Sequence, residues 1–245
     1  NIKKTFRKAK KHGVQPEKLN FLEAQLASAK EKKTSSGKNP PKKQIQTLLS
    51  YYHSRRLKEA EELARFLIKE FPKHQVGWKI LGILLQQAEK NSQALIAHQK
   101  LVELSFHDAE AHFNLGNVLQ KLGKPEEAAA SYQQSIKIKP AFAEAHNNLG
   151  NILQDEGRLN DAEASYKQAI VLKSDYVLAH NNLGNTLTEL GRSVEAETSF
   201  TQAIALKPDY AEAHSNLGNT LQELGRFDEA LASYNRAIAL KPDIA

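Results

Sequence analysis

The 245-residue chain contains no cysteine. Disulfides, thiolate metal ligands and a thiol nucleophile are therefore excluded. No apolar run approaches the roughly 20 residues that cross a bilayer, and the opening Asn1-Ile2-Lys3-Lys4 lacks the apolar core of a secretory signal. The expectation is a protein in solution, with the cytoplasm as default. Catalytic signatures are equally scarce. Gly37-Lys38 has neither the upstream glycine nor the downstream hydroxyl of a phosphate loop. Glu110, Glu144 and Glu212 recur in register rather than as a paired dyad, and no serine carries a base held by a third group. The chain is expected to have no enzymatic activity of its own and no cofactor.

Charge is unevenly placed. Residues 1–43 hold thirteen Lys and Arg against three acids, a balance of +10, which leaves −4 for residues 44–245. The basic pI belongs to one segment and is no nucleic-acid signature for the whole protein. Within that segment Lys3, Lys4, Arg7, Lys8, Lys10 and Lys11 form a cationic cluster. Pro16 can open a helix through Leu19, Leu22 and Leu26, and Thr34–Pro41 reads as a linker. Two readings stand: a solvated helix that partly caps the next element, or an electrostatic contact with an acidic partner, lipid or nucleic acid. The second lacks interleaved aromatics beyond Phe6 and Phe21.

What the sequence has in abundance is period. Gly82, Gly116, Gly150, Gly184 and Gly218 recur every 34 residues, as do Ala60, Ala94, Ala128, Ala162, Ala196 and Ala230. Pro72, Pro140, Pro208 and Pro242 mark four of six unit ends. In this frame a basic segment and linker, 1–40, precede six units: 41–74, 75–108, 109–142, 143–176, 177–210 and 211–244. Each unit shows two helical segments separated by a turn. The small eighth and twentieth residues let the two helices approach, and Leu149, Tyr166, Ala169 and Ile170 are expected to fill the space between neighbouring units. Gly123, Gly157, Gly191 and Gly225 suit a left-handed helix end. The unit-end prolines are expected to stop the second helix.

This pattern of Leu-Gly, Ala, Tyr or Phe, Ala and Pro resembles the tetratricopeptide repeat over about residues 41–244. Departures cluster in the first two units: Leu48 stands for the glycine, Ala64 and His98 for the aromatic, Phe106 for the proline; Ser174 replaces the proline of the fourth. The resemblance implies an all-α, right-handed superhelical solenoid whose first helices line a concave channel. Independently of the resemblance, a 34-residue hairpin must stack on neighbours to bury its apolar faces.

Eight asparagines mark the candidate site. Asn114 and Asn117, Asn148 and Asn151, Asn182 and Asn185, and Asn216 and Asn219 lie three residues apart on the first helices of the last four units. Asparagine is a mediocre helix former, so the series needs a reason. Either the amides grip the backbone of an extended peptide, or one per unit bonds to the next unit and fixes the stacking. The ladder is similar to that of the O-linked N-acetylglucosamine transferase family, whose groove asparagines hold the substrate backbone. That resemblance assigns the role to Asn114, Asn148, Asn182 and Asn216. Related arrays precede bacterial glycosyltransferase or sulfotransferase domains, so the alternative to an interaction scaffold is the substrate-recognition part of a larger transferase, truncated after residue 245. The carboxylate clamp of chaperone-binding arrays is missing: Lys79 is followed four residues later by Ile83, and Phe113, Asn147, Asn181 and Ser215 occupy the later lysine positions.

His112, His146, His180 and His214 also recur every 34 residues, in the place of Trp78. A whole repeat separates them, far beyond the roughly 2 Å of a metal–donor bond, so they read as packing residues and no metal is expected. Expected partners are a protein or peptide in the groove, another copy of the chain through an uncapped last helix around Tyr234 and Ile238, and an acidic partner for the basic segment.

Overall fold

The computed structural model describes residues 39–241, so the expectations placed on residues 1–38 and on Pro242 lie outside the described residues. Among the described residues there are twelve helices and no strand. They are α1 (Lys42–His53), α2 (Leu57–Glu70), α3 (Gln75–Gln87), α4 (Asn91–Leu104), α5 (Ala109–Lys121), α6 (Pro125–Ile138), α7 (Ala143–Asp155), α8 (Leu159–Leu172), α9 (Val177–Glu189), α10 (Ser193–Leu206), α11 (Ala211–Glu223) and α12 (Phe227–Leu240). No helix among them is long and apolar enough to cross a membrane. The chain divides between Phe106 and His107 into two compact units, the first holding two hairpins (α1–α4) and the second four (α5–α12).

Each hairpin turns on one left-handed residue. Gly123, Gly157, Gly191 and Gly225 take φ of +69° to +74°, and a side chain added there would meet nothing within 4 Å. In the first unit Arg55 and Glu89 take the same conformation, with φ of 57° and 56°, at a steric cost of about 1 kcal/mol that glycine avoids. The second helix ends at the same register in every hairpin, and proline is not required for this. α4 and α8 stop at Leu104 and Leu172, and the residue after each leaves the helical region (Ser105 φ −144°, ψ 55°; Lys173 φ −147°, ψ 89°) although Phe106 and Ser174 stand where proline stands elsewhere.

The recurring glycine of the first helix serves the aromatic ring of its own hairpin. A Cβ on Gly116, Gly150, Gly184 or Gly218 would lie 2.5–2.6 Å from the ring of Tyr132, Tyr166, Phe200 or Tyr234 respectively. Tyr166 therefore packs against Gly150 of its own hairpin. The exceptions obey the same volume rule. Where Leu48 replaces glycine, Ala64 replaces the ring, and both are fully buried. Where His98 replaces the ring, it sits 2.6 Å from the position of a Cβ on Gly82.

In the second unit each second helix packs on the following first helix, and the first helix α9 also touches α7 and α11, more closely than the second helices touch one another. That asymmetry bends this stack with its first helices inside. Ion pairs cross the hairpins at 2.7 Å between Arg192 and Glu163 and between Arg226 and Glu197. The outer side of α12 leaves Phe227, Leu231 and Ile238 exposed.

Candidate peptide-binding face

The amides of the second unit form one zigzag instead of two separate ladders. In three of the four pairs the first asparagine reaches back to the second asparagine of the preceding hairpin: Asn148 Nδ2 donates to Asn117 Oδ1 at 3.0 Å, Asn182 to Asn151 at 2.9 Å and Asn216 to Asn185 at 3.0 Å. Asn117 and Asn151 Oδ1 also accept from the hydroxyls of the buried Tyr132 and Tyr166 beneath, and Asn219 Oδ1 from that of the half-buried Tyr234, each at 2.8 Å. Burial pushes the Tyr132 hydroxyl up to about 12. Burial, reinforced by the charges of Asp155 and Glu189, raises that of Tyr166, so both remain protonated donors. Phe200 has no hydroxyl, and Asn185 Oδ1 accepts from Asn216 without one.

Behind this zigzag lies a buried layer that the sequence reading passed over. Asn147 and Asn181 are buried and accept from Asn182 and Asn216 at 3.3 and 3.2 Å. Asn147 Nδ2 donates to Asn148 Oδ1, and Asn181 Nδ2 to Glu212. Gln120, Gln154 and Gln222 accept a second contact from the tyrosine hydroxyls at 3.0–3.1 Å. Their 34-residue recurrence was visible in the sequence; their partner, a ring on the other helix, was not.

The bonding leaves a regular remainder. Asn117, Asn151, Asn185 and Asn219 have their Nδ2 donors without an intramolecular partner, as do the Oδ1 acceptors of Asn182 and Asn216 and the whole Asn114 amide. None of these atoms is sealed from solvent without a partner. Asn219 is exposed and the other seven are half-buried. Each step of the stack thus offers unused amide valence on the first-helix side, held in place by the bonds already made.

The histidine series closes the inter-hairpin corners. Nε2 of His146, His180 and His214 bonds to the carbonyl six residues upstream, at Pro140, Ser174 and Pro208, over 3.0–3.1 Å. The Trp78 indole does the same to Pro72 at 2.9 Å. Among the described residues no group of three or more acidic or imidazole side chains is arranged to hold a metal.

Helical hairpins stacked at a 34-residue period, five of the six locked by a glycine under a ring and the first by the reversed pair Leu48 and Ala64, define a helical-repeat solenoid. Models described as tetratricopeptide repeat match residues 109–142, 131–164 and 175–243, and one described as TPR repeat matches 150–191. Together these span more than half of the chain, which belongs to the tetratricopeptide-repeat family. Solved structures agree in fold. A crystal structure of PilW, a widely conserved type IV pilus biogenesis factor, is 18% identical with a TM-score of 0.70, covering 82% of this chain and 93% of that one. YrrB, a TPR protein with an unusual peptide-binding site, is 23% identical with a TM-score of 0.64, covering 76% and 95%. MamA is 22% identical with a TM-score of 0.62, covering 66% and 95%. No curated protein matches the sequence.

Proposed function

We propose that the second unit is a protein-interaction module that holds an extended polypeptide along its first helices, through Asn114, Asn117, Asn148, Asn151, Asn182, Asn185, Asn216 and Asn219. The observation that carries this reading is the free amide valence repeated at every step of the stack. An extended backbone presents an N–H and a C=O in the same regular fashion, and each amide–backbone bond contributes about 0.5–1.5 kcal/mol net, so several in series are needed. A peptide-binding site is named for YrrB, whose fold this chain shares. The resemblance to transferase arrays rests on the same amides; in such a protein this face would select the substrate. The cross-hairpin bonds give asparagine a stacking role as well, and the two roles fall on different atoms of one side chain.

That division supplies the test. Asn151→Asp and Asn185→Asp retain an Oδ acceptor for the neighbouring asparagines and for Tyr166, but remove the free donor. Together they should weaken binding of an uncharged extended peptide by roughly ten-fold, the equivalent of one to two lost bonds, while thermal unfolding shifts little. A large loss of stability with peptide affinity intact would reject the reading and leave only the stacking role.

A further inference from the structure

The charge on this face says which peptides it takes. Among the four first helices of the second unit, α5 carries Glu110 and Lys121, whereas α7, α9 and α11 together carry five carboxylates, Glu144, Asp155, Glu189, Glu212 and Glu223, and no lysine or arginine. The nearby cations stand on second helices and turns, where they are engaged elsewhere. Arg158 pairs with Asp161, Lys167 with Glu163, Arg192 with Glu163 and Glu195, and Arg226 with Glu197 and Glu229.

Asp155, Glu189 and Glu223 recur every 34 residues, each four residues beyond an asparagine with a free donor, Asn151, Asn185 or Asn219. Four residues is one helical turn, so amide and carboxylate share a face. All three carboxylates are exposed, and none is in a salt bridge among the described residues. Glu189 accepts from the neutral Gln154 amide, and Glu223 from the Ser193 hydroxyl at 2.9 Å. Their position is also unfavourable within the fold. Each sits at the C-terminal end of its helix, where the helix dipole is negative and disfavours an acid. A charge repeated three times against the dipole, without an intramolecular cation, leaves these carboxylates open to a cation from outside.

Resting on the peptide-holding reading above, we propose that the occupant is an extended peptide bearing lysine or arginine, its main chain on the asparagine amides and its cationic side chains on Asp155, Glu189 and Glu223. Packed helices lie about 8–10 Å apart, and a polyproline II strand returns a side chain to the same edge every three residues, or about 9 Å. The cationic residues therefore fall at every third position.

The experiment titrates the full chain with labelled peptides of about 12 residues, long enough for four such steps: one with lysine at every third position, and its counterpart with glutamine at those positions. The lysine peptide should bind roughly ten-fold more tightly at about 50 mM salt, and this advantage should shrink by about 300 mM as screening shortens the reach of the charges. The triple variant Asp155→Asn, Glu189→Gln, Glu223→Gln should bring the lysine peptide down towards the glutamine peptide. Equal binding of the two peptides by the unaltered protein would overturn this inference while the peptide-holding reading stands. A lysine preference that survives the triple variant would overturn it as well. Binding of neither peptide would reject the reading itself.

Discussion

His98 shows how a single departure from the repeat pattern reads physically. It occupies the place of Tyr132, Tyr166 and Phe200, fully buried against Gly82, with neither ring nitrogen in hydrogen-bonding geometry with a partner. Burial lowers its pKa to about 4 despite the nearby Gly82 main chain. The folded state therefore resists protonation that the unfolded chain accepts near 6.5. Its stability is fully present above that value and is lost as pH falls towards 4. Between about pH 7 and pH 5 the loss should be about 2 kcal/mol. His98→Phe should abolish it, as read by hydrogen exchange of the α4 amides. An unchanged pH dependence in that variant would place the sensitive group elsewhere. The sequence revealed the substitution; only coordinates revealed that both nitrogens are stranded.

At the scale of the hairpin, most of the architecture was legible because each repeated residue meets a repeated constraint. The turn glycines, the unit starts and the small residue of the first helix were all readable from period and residue size. What period could not supply was pairing across helices. Gly150 and Tyr166 are sixteen residues apart in sequence, and the same separation links Leu48 with Ala64, where the two volumes exchange places. Proline proved dispensable at the unit end: α8 stops at Leu172 with Ser174 in the proline's place. The turns offer a direct test. Glu89→Gly should stabilise the second hairpin by about 0.5–1 kcal/mol by relieving a left-handed side-chain residue. Thermal or chemical unfolding of the variant measures this, and a destabilisation would show that the Glu89 side chain contributes more than its backbone costs.

On the scale of the whole molecule, charge and amide chemistry are segregated by unit. Residues 107–245 carry twelve Lys and Arg against nineteen Asp and Glu, whereas residues 1–106 hold twenty-two against nine. All eight paired asparagines lie in the acidic part, and the corresponding first-unit positions are Gln46, Leu49, Ile80 and Ile83. That contrast was already present in the sequence. The partition of each amide between a neighbour and solvent was not, because it depends on which hydroxyl lies beneath it and how far the next hairpin stands. The proposed peptide binding depends on those unused Nδ2 donors. Their side-chain amide resonances in an ¹⁵N-labelled protein are the most direct report, recorded while an uncharged extended peptide is added. Asn117, Asn151, Asn185 and Asn219 should shift together and saturate at one affinity. Shifts confined to the outer side of α12, around Phe227 and Ile238, with those four amides unmoved, would contradict it.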